Sequence, residues 1–238
     1  MSIITGKLFN VNSLCTNKGV KIDDVEIRWL GHSCFVLKGK EKTVLTDPYC
    51  PELGYSLGQR EADIVTVSHF HPGHSYIEGI ANSPKQIKGP GEYEIGNIFI
   101  TGLASYHDKE KGETRGKNTI YLIEMEGLRL CHLGDLGHAL TSSLAGELGS
   151  CDILFLPVGE VSTITVDEAA EIVKQLTPHI VIPMHYKTDV LTKNLEPADK
   201  FLSKMGIHEM QPKPKLLITQ TSLPSDLQIV VFELNQAT

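Results

Sequence analysis

The sequence predicts a single mixed α/β domain. Segments with the hydrophobic pattern of strands dominate the first half, and the better-marked helices lie in the second half. No stretch rich in proline, glycine and serine separates the two halves as a linker would. A chain of 238 residues, 41% of them hydrophobic, is long enough to bury one sizeable core. We therefore expect one layered domain over residues 25–238, preceded by an N-terminal extension at 1–24.

The strand predictions come from short apolar runs that are bounded by turn residues. Residues 25–30 alternate between apolar and polar side chains, with the period of two that a half-buried strand shows. The run at 43–46 is stopped by Asp47 and Pro48. By these criteria strands are expected at 25–30, 34–37, 43–46, 64–67, 98–100, 120–123, 128–131, 153–156, 180–182, 216–218 and 227–234.

Two helices are predicted in the second half. Thr165 and Glu168 have the spacing of a capping box, in which a hydroxyl and a carboxylate satisfy the first free N–H groups of a helix. Apolar side chains then recur on one face, and Pro178 ends the segment. A second helix is expected over 197–205, with Gly206 as its stop.

Charge and cysteine content narrow the functional classes. The formal net charge is −7, which gives no overall basic footprint for nucleic acid. The five cysteines are odd in number and none forms a Cys-x-x-Cys pair, which argues against a disulfide framework or a cysteine-type zinc ribbon. No apolar run approaches the ~20 residues of a membrane helix, and the N-terminus lacks a signal-peptide core. We expect a cytoplasmic protein with a small-molecule substrate and neither a nucleic-acid nor a membrane partner.

A histidine cluster directly follows the strand predicted at 64–67. His69 and His71 lie two residues apart, so in extended backbone both imidazoles project to the same side and can reach one ion. A proline-glycine pair then turns the chain, which lets His74 approach from another direction. Imidazole nitrogen suits zinc and similar first-row ions. The alternative is three unrelated histidines on a solvated loop, and their spacing favours a metal site.

Further candidate ligands fall where predicted strands end, which is where α/β sheets gather functional groups. Asp135 lies between glycines after one strand, His185 follows another behind a proline, and His107 has no stronger context of its own. Each is weak alone, because an aspartate at a turn or a histidine in a loop is ordinary. Asp47 is a candidate to orient a ligand histidine, and its alternative is a turn residue before Pro48.

The order of these motifs resembles the metallo-β-lactamase superfamily. The similarity is closest to the branch of small zinc-dependent hydrolases that also contains ascorbate-phosphate lactonase. It runs from about Val25 to Thr188 and rests on five further segments: Trp29-Leu30-Gly31-His32-Ser33-Cys34-Phe35, Leu45-Thr46-Asp47-Pro48, Gly89-Pro90-Gly91-Glu92-Tyr93, His132-Leu133-Gly134-Asp135 and Ile182-Pro183-Met184-His185-Tyr186.

The resemblance implies a four-layer αβ/βα sandwich with two metal positions at the top of the sheets. The cofactor would be one or two divalent ions, zinc in the first place and manganese as the alternative. A metal-activated water would hydrolyse a small ester, lactone or phosphodiester. The implied ligands are His69, His71 and His107 for the first ion, His74 and His185 for the second, and Asp135 between the two.

One departure from the superfamily pattern weakens this assignment. The usual motif is His-x-His-x-Asp-His, and here the aspartate position is Gly73. One carboxylate ligand of the second ion is absent, so that site should bind its ion more weakly. Three outcomes stay open: a single-metal enzyme, a two-metal site completed by another group or water, and a degenerate site without catalysis.

The remaining histidines have weaker roles. His138 is a candidate to give a proton to a leaving group, and a surface histidine is its alternative. His132 lies at a strand end and is as readily structural. No role is assigned to His32, His179 and His208.

Three functional hypotheses follow from these residues. The favoured one is a metal-dependent hydrolase, and the alternative is a non-catalytic binding protein that keeps the fold. A nuclease is less favoured, because the chain is acidic and has no appended nucleic-acid domain. The sequence leaves the oligomeric state open.

Overall fold

The computed structural model describes residues 24–234, so the predicted N-terminal extension lies outside the described residues except for Asp24. In chain order the elements are β1 (Val25–Gly31), β2 (Cys34–Lys38), β3 (Thr43–Thr46), β4 (Ile64–Val67), β5 (Lys85–Lys88), β6 (Gly91–Ile95), β7 (Ile98–Tyr106), β8 (Lys117–Met125), β9 (Leu128–His132), α1 (Ser142–Leu148), β10 (Ile153–Pro157), α2 (Val166–Leu176), β11 (Ile180–Met184), α3 (Asp199–Lys204), β12 (Leu216–Ile218) and β13 (Gln228–Ile229).

The first sheet has six strands in the order β12-β1-β2-β3-β4-β5. Strands β12, β1, β2 and β3 pair antiparallel, whereas β3, β4 and β5 are parallel. Val25 and Ile27 of β1 point into the main core, as their alternating pattern predicts. The opposite face carries a second core, in which Leu45 and Val65 pack against Tyr49 and its neighbours. Because both faces are covered, β4 is buried throughout.

The second sheet has seven strands in the order β13-β11-β10-β9-β8-β7-β6. Strands β9, β10, β11 and β13 are parallel, and β6 to β9 form an antiparallel meander. Both β10 and β11 are fully buried, which explains their continuous apolar runs. Helix α2 packs its apolar face on the same core and begins at the predicted capping box of Thr165 and Glu168. The main core therefore contains buried side chains of both sheets and of α2.

The structure differs from the sequence predictions in several elements. Strands β7 and β8 extend beyond the predicted 98–100 and 120–123. The strand expected over 227–234 shortens to β13, because Val230 N–H donates to Val181 and Glu233 N–H then donates to Lys213 instead. Helix α3 is shorter than the predicted 197–205. Strands β5 and β6 and helix α1 were not predicted, since they bury too few residues to show a clear period. None of the helices within 24–234 is long and apolar enough to cross a membrane.

One edge of the two sheets collects the chemistry-bearing residues. Strands β3, β4, β7, β9 and β11 all end there, and each is followed within a few residues by a polar side chain. The turn between β1 and β2 adds a further histidine. The residues brought to this edge are Asp47, His69, His71, His74, His107, Asp135, His185 and His32.

Candidate metal centre

A single carboxylate oxygen lies at the middle of the cluster. Asp135 Oδ2 is 3.1 Å from His185 Nε2, 3.2 Å from His74 Nε2, 3.3 Å from His107 Nε2 and 3.8 Å from His69 Nε2. All five side chains are buried. One oxygen accepts few hydrogen bonds, so four imidazoles around it form the kind of donor set that a cation satisfies.

The first ligand group is formed by His69, His71 and His107. One candidate ligand atom from each lies within 4.8 Å of the others. The rings of His69 and His107 have centroids 4.7 Å apart, and those of His69 and His71 are 4.6 Å apart. His71 is half-buried, whereas the other two are buried. This group therefore has one side open towards solvent, as a site that admits substrate requires.

The second ligand group contains a residue that the sequence analysis left without a role. His74 and His185 lie with His32, again with candidate atoms within 4.8 Å of one another. His32 is 0% exposed, and its ring centroid is 4.2 Å from that of His185. The signal was present in the sequence, because His32 directly follows strand β1, just as the other candidates follow strands.

Asp47 contacts one candidate ligand directly and a second one through Ser68. Its Oδ2 accepts a hydrogen bond from His74 Nδ1 at 2.9 Å and another from the Ser68 hydroxyl. That hydroxyl lies 2.9 Å from His69 Nδ1 and accepts its proton. Both imidazoles then keep the Nε2 lone pair free for an ion, which is how outer carboxylates support metal-bound histidines. Although Asp47 also groups with His69 and His74 as possible ligands, these bonds to Nδ1 assign it an orienting place.

Glycine allows the loop that carries Asp135 to approach the cluster. A Cβ on Gly134 would lie 2.3 Å from Asn118 Oδ1, and the glycine has a φ of +57°. The same Asn118 oxygen accepts the backbone N–H of Asp135 at 3.0 Å. A Cβ on Gly137 would lie 2.2 Å from the carbonyl carbon of His107. These two glycines therefore set the close contact between the β9 loop and its neighbours.

The electrostatics of the cluster favour a bound cation. Burial lowers the pKa of His69 well below its usual value and that of His107 to about 4, so both are neutral ligands at pH 7. For His74 burial opposes the charged form, but the Asp135 and Asp47 carboxylates raise its pKa to about 9. Burial raises the pKa of Asp135, yet the surrounding histidines hold it well below its ordinary value. The Asp135 carboxylate is thus a buried negative charge that a bound cation would stabilise.

Unpartnered polar atoms support the same conclusion. Among the described residues, several buried side-chain atoms at this edge have no hydrogen-bond partner, which is rare for buried polar groups in folded proteins. They belong to the two ligand groups and to Asp135, and ions coordinated by one nitrogen of each imidazole would satisfy part of this set. These atoms are both ring nitrogens of His32, Nε2 of His69 and His74, Nδ1 of His107 and His185, and Oδ1 of Asp135.

The other histidines make hydrogen bonds of a structural kind. His138 Nε2 accepts the backbone N–H of Tyr106 at 3.3 Å, and its Nδ1 bonds the carbonyl of Ala139 at 2.9 Å. Both nitrogens are engaged, which favours the alternative to a proton-donor role for His138. His132 is buried and bonds the carbonyl of Ser33 at 2.9 Å, so it too is structural.

A cleft opens beside the first ligand group. It has a volume of about 470 Å³ and is lined by His69, His71 and Phe70, which is 73% exposed. Three cationic side chains complete part of its wall: Lys88, Arg115 and Lys117. A larger cavity of about 870 Å³ contains none of the ligand groups among its described lining residues. The smaller cleft is therefore the candidate substrate site.

Two mixed sheets with a histidine-aspartate cluster at one shared edge define a metallo-β-lactamase-type protein. Residues 26–185 match the family model described as the beta-lactamase superfamily domain, so the chain belongs to that superfamily. The fold and family predicted from the sequence are confirmed.

Individual relatives agree with this family. A UPF0173 metal-dependent hydrolase of Thermoplasma volcanium is 30% identical and aligns over 80% of this chain and 96% of its own length. Another of Archaeoglobus fulgidus is 27% identical over 74% of this chain and 88% of its own length. A solved structure from Thermotoga maritima, whose name assigns it to the Zn-dependent hydrolases of the metallo-β-lactamase superfamily, has a TM-score of 0.72. It is 36% identical and covers 87% of this chain and 98% of its own.

Proposed function

We propose that this protein is a zinc-dependent hydrolase of a small ester, lactone or phosphodiester that carries a negative charge. One observation carries the proposal: the Asp135 carboxylate lies among two groups of histidines, beside an open cleft with a cationic wall. The chain is an enzyme by its relatives as well, since those of its family are named metal-dependent hydrolases. Its closer kinship with ascorbate-phosphate lactonase stays a prediction.

The donor set supports zinc as the ion. Imidazole-rich sites suit zinc, whereas manganese prefers sites with more carboxylate and water. A bound divalent ion lowers the pKa of a coordinated water to about 7 and polarises the bond to be cleaved. His69, His71 and His107 would hold the first ion, and His74 and His185 the second. Asp135 would lie between the two.

The protein's own groups prepare the site for that chemistry. Asp47 bonds Nδ1 of His74 directly and Nδ1 of His69 through Ser68, so these two imidazoles are oriented before an ion binds. Asp135 is buried and unprotonated at neutral pH, which offers a fixed negative charge. The half-buried His71 lies at the boundary between the ligands and the cleft.

The cleft supports the negative charge of the substrate. Arg115, Lys88 and Lys117 line it and would pair with a carboxylate or phosphate remote from the bond that is cleaved. The backbone N–H of Arg115 donates to Asp108 at 2.7 Å, and Asp108 directly follows the candidate ligand His107. The Arg115 part of the cationic wall is thus positioned by the loop that follows His107.

The first experiment measures metal content and turnover together. Wild-type protein with added Zn²⁺ is assayed on a panel of small esters, lactones and phosphodiesters, beside His71→Ala and the control His208→Ala. His208 is exposed and lines the larger cavity. We expect His71→Ala to lose at least tenfold in turnover and in zinc retention, by the removal of a ligand, and the control to match wild type. Unchanged turnover in His71→Ala would overturn the proposal.

The same panel separates the alternatives. Full zinc occupancy without turnover of any substrate would favour the non-catalytic binding protein that Gly73 suggests. Salt-sensitive binding of single-stranded RNA would favour the nuclease.

The cationic wall has its own test. Arg115→Gln should raise KM for anionic substrates with little change for neutral ones, whereas Lys111→Gln in the same loop removes an exposed charge that does not line the cleft. If Arg115→Gln and Lys111→Gln have equal KM values for anionic substrates, the proposal that the substrate carries a negative charge is wrong.

We propose a cytoplasmic location because the described cysteines are free thiols. The four in the described part of the chain, Cys34, Cys50, Cys131 and Cys151, are free thiols, as in proteins of a reducing compartment.

A further inference from the structure

The missing aspartate of the superfamily motif leaves a space that another side chain fills. A Cβ built on Gly73 would lie 3.1 Å from His32 Nε2 and 3.3 Å from His32 Cδ2. The imidazole of His32 therefore lies directly over the position from which the motif aspartate would extend. Gly73 itself is buried and its φ is not in the left-handed region. Because Gly73 has no side chain, the His32 imidazole can approach this position closely.

The surroundings of His32 are those of a ligand rather than of a packed core residue. Neither ring nitrogen has a hydrogen-bond partner in the described part of the chain, although the residue is 0% exposed. A buried imidazole normally bonds at least one of its nitrogens. Its neighbours are His74, with a ring centroid 4.9 Å away, and His185, 4.2 Å away. Candidate ligand atoms of the three lie within 4.8 Å of one another.

Hydrogen bonds to the backbone of His32 hold this residue beside His185. The carbonyl of His32 accepts the indole N–H of Trp29 at 3.0 Å and the backbone N–H of His185 at 3.0 Å. The turn between β1 and β2 is therefore tied to the end of β11. This link holds the backbones of two of the three histidines together before any ion binds.

We propose that His32 replaces the missing carboxylate as a ligand of the second ion, so that His32, His74 and His185 hold it. The inference rests on the proposed metal centre and deepens it. The second site then has three imidazole ligands, with the Asp135 carboxylate beside Nε2 of His74 and His185. Such a nitrogen-rich set favours zinc, cobalt or nickel over manganese. The second site should therefore discriminate against manganese more strongly than a site that contains the motif aspartate.

The test titrates metal-free protein with Zn²⁺ against a chromophoric chelator. Wild type should take up two equivalents, whereas His32→Ala should keep the first and bind the second at least tenfold more weakly, through the loss of one ligand. His179→Ala is the matched control, because His179 bonds the carbonyl of Pro224 and lies in neither ligand group. The double variant His32→Ala/Gly73→Asp should recover the second equivalent and bind Mn²⁺ better than wild type, since it regains a carboxylate.

The possible outcomes distinguish the two proposals. If wild type binds no ion, both the metal centre and the role of His32 are wrong. If wild type binds a single ion, or if His32→Ala binds two as tightly as wild type, the role of His32 alone is wrong. A zinc-loaded crystal structure of wild type decides the question without any variant. We expect an ion about 2.1 Å from a His32 nitrogen, and a second ion held without His32 would overturn the inference.

Discussion

Replacement of Asp47 by asparagine tests how the centre is organised. The carboxylate accepts three hydrogen bonds, from His74 Nδ1, the Ser68 hydroxyl and the Ser68 backbone N–H. An amide supplies one acceptor oxygen and one NH₂ donor. The NH₂ group must then face a donor, and if it faces His74 it favours the tautomer with the proton on Nε2. That proton occupies the lone pair that the ion needs.

The magnitude follows from the partners that are lost. Outer-shell partners of metal-bound histidines are worth about 10–100-fold in metal affinity, which is about 1.4–2.7 kcal/mol. Asp47→Asn should therefore weaken zinc binding by about that factor, because it affects two histidines. Ser68→Ala should have a smaller effect, since it removes only the link to His69.

The assay is competition with a chromophoric zinc chelator at pH 7.5. Asp63→Asn is the matched control: Asp63 Oδ2 also accepts a backbone N–H, from Thr43 at 2.8 Å, but it lies outside the ligand groups. If Asp47→Asn binds zinc as tightly as wild type and Asp63→Asn, the orienting role of Asp47 is refuted.

Two further predictions concern stability. Gly134→Ala should cost about 1–3 kcal/mol in urea unfolding, because its Cβ would overlap Asn118 at a positive φ. Gly146→Ala, in α1 with open space around it, should be neutral or stabilising by up to about 1 kcal/mol, and equal effects would refute the steric argument. In the metal-free protein the pKa of His74 is raised to about 9. The stability this contributes is present below the ordinary histidine pKa and is lost as pH rises through 9. The urea midpoint of chelator-treated protein should fall between pH 6.5 and 9.5, and His74→Gln should reduce that fall; a midpoint that rises would contradict the assignment.

The elements with strong local signals could be predicted from the sequence. The capping box at Thr165 predicts the start of α2, and the continuous apolar runs predict the buried strands β4, β10 and β11. Strand β5 escaped prediction because only Ile87 of its four residues is buried. The C-terminal strand was predicted to be longer than it is, because a hydrophobic pattern does not show where the backbone changes its hydrogen-bond partner.

The part of the site that is formed by residues close together in the sequence could be predicted. His69, His71 and His74 lie close together in the sequence. His107, Asp135 and His185 were only weak candidates by themselves, and the resemblance assigned them to the ions. The place of His32 was not predicted, because it depends on the turn between β1 and β2 meeting Gly73 across the sheet edge. The sequence shows that Gly73 has no side chain, but only the structure shows that His32 lies beside it.

The metal content per chain shows whether this protein holds a two-ion zinc centre. Protein purified without chelator, incubated with Zn²⁺ and desalted would be measured by inductively coupled plasma mass spectrometry. We expect two zinc ions per chain. One ion would leave a single-metal hydrolase and remove the second site, and the absence of any retained ion would rule out the proposed zinc centre.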